Sequence, residues 1–330
     1  IIMLHIKCII LILLIVILSI IYYCKKTNKG NHLSLGESQT IFNDTNYINN
    51  FSQLDRKLRK CGEDNEECRT NYKNSVLEFS KLEQEMLVKI VSDFTQLLGS
   101  NFSDIFSQIR FIKVKNNIEN SMPHTRNQAI VFSQGYFKSL LDKYEGNNNF
   151  LENDIHLIKL IAHEQFHIYQ RYHSKIIEQF YLTQWNLVKL DILLPPKIKE
   201  INRTNPDALP NNNWLYPIGK NKYILPLCVY NSLNSESIND TSNIYVTLIR
   251  KKNKFHFPEL EKQLAKKNLL SNQKNFTDFF GYQGANNYHP HEISASLFED
   301  IVLGYINKGG DIDTKKEHSQ AYNLLKRFLI

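Results

Sequence analysis

Cysteine is too sparse in this chain to build a fold. Five cysteines among 330 residues exclude the disulfide-dense scaffold of a small secreted module. Cys8 and Cys24 fall in or beside an apolar segment, and Cys228 sits in a strand-like apolar run as a buried thiol. Only Cys61 and Cys68, which bracket a short charged stretch, are placed to pair in an oxidising compartment. A basic stripe is missing too. The formal charge of +7 is spread along the chain, with short clusters such as Lys25-Lys26 and Lys266-Lys267 and no recognisable nucleic-acid module, so no nucleic acid is expected as a partner. No internal repeat is visible, which argues against a solenoid. The excess of Asn, Ile, Lys, Tyr and Phe is the bias of an AT-rich genome, such as that of a large DNA virus, and carries no chemistry.

An apolar N-terminus is the first positive feature. From Ile6 to Tyr23 only Lys7 and Ser19 interrupt the run, and at 1.5 Å per residue it spans about 27 Å, enough to cross a bilayer. No small-x-small cleavage site follows at Ile20-Ile21-Tyr22-Tyr23-Cys24. Residues 1–27 are therefore expected to be an uncleaved single-pass membrane anchor, with residues 6–23 in the lipid bilayer. Lys25, Lys26 and Lys29 outweigh Lys7, which puts the bulk of the chain on the cytoplasmic side unless the segment inverts as a signal anchor.

Residues 28–50 are polar and read as a tether, followed by a helical N-terminal region over 51–118. There Val76, Phe79, Leu82, Met86, Ile90, Phe94 and Leu97 recur at steps of three and four, predicting one helix from Tyr72 to Leu98. Ile105 to Val114 and Asn127 to Phe132 are strand candidates, the second able to hold an extended peptide by edge pairing. A buried helix carrying Ile155, Ile158, Leu160, Ile161 and Phe166 comes next, with Asn153 or Asp154 as its cap. A further helix is expected from His173 to Leu190. Residues 197–257 then change to turn residues and strand candidates at Tyr223–Tyr230 and Ile244–Arg250, a β-rich insertion. Pro258 to Leu270 reads as a surface helix and Phe279 to His289 as a loop. Pro290 opens a helix over His291–Tyr305, and after a Gly309-Gly310 turn a last helix runs from about Ser319 to Phe328.

The chemistry-bearing motif is His163-Glu164-Gln165-Phe166-His167 on the buried helix. Residues four apart on a helix project about 40 degrees apart, so both imidazoles can share one ion. Glu164 is rotated about 100 degrees from His163, which suits it to a water beside the ion rather than to the ion itself. A catalytic zinc needs a third protein ligand and an open fourth position. No His-x-x-Gly-x-x-His continuation follows His167, so that ligand comes from elsewhere. Glu292, in Tyr288-His289-Pro290-His291-Glu292-Ile293-Ser294-Ala295-Ser296, is the best donor, because small residues one turn on let its helix approach the histidines closely. Glu299 lies on nearly the same face, as rival ligand or as acceptor for an imidazole N–H.

With both segments in view, the chain resembles a zincin metallopeptidase of the gluzincin type. In such enzymes a His-Glu-x-x-His helix supplies two ligands and a glutamate on a downstream helix the third. His289-Pro290-x-Glu292-Ile293-x-Ala295 is similar to the His/Asn-Pro-x-Glu-x-x-Ala segment of poorly characterised families of that clan, and the likeness spans about residues 120–305. The resemblance implies an α+β fold with a zincin-like catalytic domain over 119–330, one catalytic Zn2+ held by His163, His167 and Glu292, and Glu164 as the base in hydrolysis of a peptide or protein substrate. His289 and Tyr288, with His291 and Tyr282, are candidates to stabilise the oxyanion. Two other readings stay open: a pair of satisfied core histidines, and a catalytically silent, zinc-stabilised peptide-binding or structural membrane protein, virion-associated in one version.

Overall fold

The computed structural model describes residues 31–330 except 44, 145–150, 152–153, 191–192, 209–212, 282–283 and 307–318. The apolar run Ile6–Tyr23, Asn153, Tyr282 and the Gly309-Gly310 turn lie outside the described residues. Among those described, no helix is long and apolar enough to cross a membrane.

The architecture is mixed α+β, with two sheets and helices packed around them. Where a tether was expected, the chain forms helices α1 (Leu35–Phe42) and α2 (Thr45–Asn49). Their few apolar side chains are enough: Ile41, Phe42, Tyr47 and Ile48 are buried against Val114, Ala129 and Val131. Ser34 and Glu37 close a capping box at the start of α1. Helices α3 (Gln53–Arg59) and α4 (Asn65–Lys73) follow, and a Cys61–Cys68 disulfide closes the turn between them. The single helix expected from Tyr72 does not form. Val76 enters strand β1 (Val76–Leu77), and α5 (Lys81–Leu98) begins only where Ser80 and Glu83 close another capping box. Leu82 is consequently turned to solvent, whereas Met86, Ile90 and Phe94 are buried as their spacing requires.

A short helix α6 (Ser103–Phe106) leads into β2 (Phe111–Val114), β3 (His124–Arg126) and β4 (Ala129–Ser133). The first sheet has the order β1-β2-β4-β3, with β2 parallel to β4 and both outer strands antiparallel. Residues 51–118 thus contribute two strands to a sheet completed by later residues rather than forming a separate helical layer. Strand β4 is paired on both sides, so the strand expected at 127–132 has no free edge for a peptide. The edge strands are β1 and β3.

Helix α7 (Gln134–Tyr144) precedes the motif helix α8 (Ile155–Tyr172). Asp154 caps α8, accepting from the Leu157 backbone N–H, which satisfies one of the donors a helix start leaves free. Helix α9 (Ser174–Thr183) stops short of the expected Leu190. Asn186 turns the chain at a positive φ of 53°, and residues Val188–Leu190 become strand β5. After α10 (Pro196–Ile201), strands β6 (Asn213–Gly219), β7 (Lys222–Tyr230), β8 (Thr241–Lys251) and β9 (Lys254–His256) complete an antiparallel sheet in the order β5-β6-β7-β8-β9. This is the β-rich insertion, begun earlier than residue 197 and with its own buried layer of Leu215, Leu225, Leu227, Val229, Ile244, Val246 and Leu248.

Helices α11 (Leu260–Lys266), α12 (Lys274–Phe280), α13 (Pro290–Ile306) and α14 (Gln320–Leu329) finish the chain. Phe279 and Phe280, expected in a loop, end α12, their rings packed on Tyr216. Pro290 occupies the first turn of α13, where its missing N–H costs nothing. Helix α13 lies along α8, and Phe298 stacks on Phe166 with ring centroids 4.6 Å apart. The buried Ala295 and Ser296 keep that approach close, bringing two motifs distant in sequence side by side.

Candidate metal centre

Three side chains converge where α8 meets α13. His163 Nε2 and His167 Nε2 are 3.0 Å apart; Glu292 Oε2 is 3.5 Å from the first and Glu292 Oε1 3.6 Å from the second. All three residues are buried. Ligands about 2.0–2.1 Å from a tetrahedral ion lie roughly 3.3 Å from each other, so the triangle has the size that one small cation would set.

The outer nitrogens decide what the inner ones offer. His167 Nδ1 is 2.8 Å from Gln170 Oε1, while Gln170 Nε2 donates to the His291 carbonyl at 3.0 Å and to Ser294 Oγ at 2.9 Å. A carbonyl can only accept, which fixes the Gln170 amide and makes His167 Nδ1 a donor. His163 Nδ1 faces Glu299 Oε1 at 2.6 Å, so it donates as well. Each neutral imidazole then presents a lone pair at Nε2, and the two lone pairs face one another beside a carboxylate. That arrangement repels itself unless a positive charge sits between, either a proton or a metal ion. The charge preference is visible in His163. Burial opposes its protonation, but the Glu292 and Glu299 carboxylates outweigh burial and hold its pKa well above the ordinary histidine value. The donor set of two imidazoles and one carboxylate, each imidazole oriented by a second hydrogen bond, suits zinc.

Glu164 is 5% exposed and its Oε2 has no hydrogen-bond partner. It lines a cavity of about 540 Å³ together with His163, Glu292 and Glu299. Burial first, then the nearby Asp207 carboxylate, push its pKa well above the usual carboxylate range. A buried carboxylate oxygen without a partner, on a residue that lines a cavity, is an acceptor lacking its donor, and a water would meet that need.

No protein-family model, curated protein or solved structure matches this chain. The case for the site therefore rests on its own geometry.

The structure separates the other sequence candidates. Glu299 hydrogen-bonds the outer nitrogen of His163 and stands outside the ligand triangle. Tyr288 is buried, its hydroxyl accepting from Asn205 Nδ2 at 2.6 Å, and the same amide donates to Glu292 Oε1 at 3.0 Å. His289 Nδ1 accepts from the His291 backbone N–H at 3.2 Å. Neither Tyr288 nor His289 lines the cavity, so neither is brought to the ion triangle as an oxyanion donor would be. His291 is turned to the Asp207 carbonyl, 3.2 Å from its Nδ1.

Residues that sequence reasoning passed over complete the surroundings. Asn205, Pro206 and Asp207 read only as a turn, yet Asn205 orients Glu292. Asp207 accepts from Thr125 Oγ1 and Arg171 Nη2. Burial opposes its ionisation, but His167, Arg171 and Thr125 hold its carboxyl down at about 2. The one signal available was Arg171, seven residues beyond Glu164 on the same helical face, a buried-side cation in need of an acid.

The turn is itself braced from the N-terminal helices. Arg59 Nη2 donates to the Thr204 carbonyl at 2.6 Å, and Thr204 Oγ1 donates to Asp55 Oδ2 at 2.8 Å. Arg59 also pairs with Asp55 and, at 3.2 Å, with Glu119. Tyr47 and Tyr72 each donate to Glu119 Oε1 at 2.7 Å.

Proposed function

We propose that the chain is a zinc-dependent metallopeptidase of gluzincin-like design, tethered to a membrane through residues 6–23. His163, His167 and Glu292 hold the ion, and Glu164 is the base. The observation that carries the reading is the pairing of two imidazole lone pairs with one carboxylate around a single point, next to a buried carboxylate oxygen with no partner.

Bound zinc would supply Lewis acidity, acidifying water and polarising a carbonyl. The chain's own residues do the rest. Gln170 and Glu299 hold the two imidazoles in the tautomer that offers Nε2. Asn205 fixes the Glu292 carboxylate. Glu164 Oε2 takes a proton from the attacking water and carries it to the leaving nitrogen, a transfer its cavity position permits.

The test separates ion from chemistry. Metal analysis of the full chain should find close to one zinc per molecule, lost in H167A and E292A and kept in E164Q. A broad peptide library should be cleaved by wild type and not by E164Q, with a rate loss of at least about a hundredfold. Cleavage by E164Q at the wild-type rate removes Glu164 from the reaction; zinc retained in E292A and lost in E299Q reassigns the third ligand.

A further inference from the structure

One wall of the cavity carries polar groups that hydrolysis itself does not use. Arg203 and His124 both line it. The Arg203 guanidinium has sulfur for company: Nη2 lies 3.9 Å from Met122 Sδ, the Cys228 thiol is a second neighbour, and Nε is buried without a partner. Of the other charged groups around the cavity, Glu119 is matched by Arg59, Asp207 by Arg171, Glu299 by His163 and Lys159 by Asp300, while Glu164 keeps one carboxylate oxygen without a partner. Among the described residues Arg203 has no such ion pair. A guanidinium cannot shed its proton to escape burial, so a desolvated one facing a cavity wants an anion.

His124, on the edge strand β3, is 5% exposed. Its Nδ1 donates to the Met122 carbonyl at 3.0 Å, which leaves Nε2 as an acceptor, buried and without a partner. Met122 therefore touches both residues, one through its carbonyl and the other through its sulfur. Three consecutive residues in the left-handed region, Glu119, Asn120 and Ser121 with φ of 47°, 53° and 63°, deliver this segment to the cavity. None is glycine, so the turn is strained and held by the buried Glu119 contacts.

We infer that Arg203 and His124 form a subsite for a carboxylate flanked by an amide N–H, with Arg203 taking the carboxylate and His124 Nε2 accepting from the N–H. That pattern occurs at the last residue of a peptide and at an acidic residue within one. The substrate class rests on the peptidase reading above; the subsite itself does not.

Titration calorimetry on the full chain tests it with three probes: N-acetyl-alanine, which has a terminal carboxylate; N-acetyl-aspartic acid α-amide, with a side-chain carboxylate; and N-acetyl-alaninamide, with none. Both acids should bind measurably better than the amide, and the tighter acid identifies the source. R203M should weaken the acids by about tenfold or more, R203K by less, and H124F should weaken all three probes. Zinc content and melting temperature are measured on each variant, so that misfolding is recognised; if R203M does not fold, R203K carries the comparison. Equal binding by folded R203M overturns the subsite, as does an acid that binds no better than the amide. Loss in H167A but not in R203M places the carboxylate on the metal, overturning the subsite and sparing the metal reading. Arg203-dependent binding in a chain without zinc does the reverse.

Discussion

Replacing Arg59 by alanine should damage both stability and the metal centre, through different bonds. The Arg59 side chain is 1% exposed, with Asp55 and Glu119 at 0% and 3%, so neither carboxylate can turn to water when the cation is removed. Breaking a buried pair in this way costs about 3–5 kcal/mol, most of it the penalty of the charges left behind. The guanidinium also lies over the Phe51 ring, 4.6 Å from its centroid, which adds to the lower end of that range. With an unfolding entropy of about 2.1 cal/mol/K per residue over the roughly 270 described residues, about 4 kcal/mol corresponds to a fall in Tm of about 7 °C. Thermal and urea unfolding of the full chain would measure it. The second effect runs through the Thr204 carbonyl, which loses its donor and frees the Asn205 amide that orients Glu292. Zinc affinity should fall in R59A while His163, His167 and Glu292 remain intact. A triple variant, R59M with D55N and E119Q, removes the three charges of these ion pairs and should recover a good part of the lost stability. If R59A costs under about 1 kcal/mol, or if the triple variant is no better than R59A, the network is not the brace described here.

Acid should act on the same cluster. Burial raises the Glu119 pKa, but Arg59, His124 and the tyrosine hydroxyls overcome it and hold the carboxyl at about 2. A group depressed on folding contributes stability above its unfolded value, near 4.5, and loses it as pH falls towards 2; the drop of about 2.5 units is worth on the order of 3 kcal/mol. E119Q should therefore be less stable at pH 7 and show a shallower loss between pH 5 and 2, whereas parallel acid titrations of both chains would remove Glu119 from the account. At the metal centre, Q170L should keep the fold and weaken zinc about 10–100-fold by freeing His167 to rotate, as read by competition with a chromophoric chelator; an unchanged affinity would mean that the ring is held by packing alone.

The motif helix, its Asp154 cap and the partnership with Glu292 were legible because each depends on short-range rules: four-residue spacing, a capping acid, a proline at the start of α13. The strands β4 and β7 were legible for the same reason, as apolar runs, and β8 as a segment of β-branched and aromatic residues whose apolar run is broken by Thr247. Periodicity misled where a local signal cut across it. The stripe from Val76 to Leu97 satisfies helical spacing, yet Ser80 and Glu83 place the helix start at Lys81, and the residues before it join the sheet. The short strands β3 and β5 carry too few residues to show alternation, so the edge strand and the true start of the second sheet were invisible. Residues 35–49 failed as a tether because four buried apolar side chains, Ile41, Phe42, Tyr47 and Ile48, suffice to dock two short helices, however polar the remainder. Asn205, Asp207 and Arg203 could not be found from the chain alone, since a turn beside a helix start in space is still only a turn in sequence.

The candidate site joins side chains as far apart as His163 and Glu292, with an entire five-stranded sheet strung between them. Closing so long a loop is slow relative to local helix formation, and no fragment ending before α13 contains the third ligand. A nascent chain would thus emerge with both histidines already synthesised but without the carboxylate that completes the cluster, which would close only when the later segments are translated and docked.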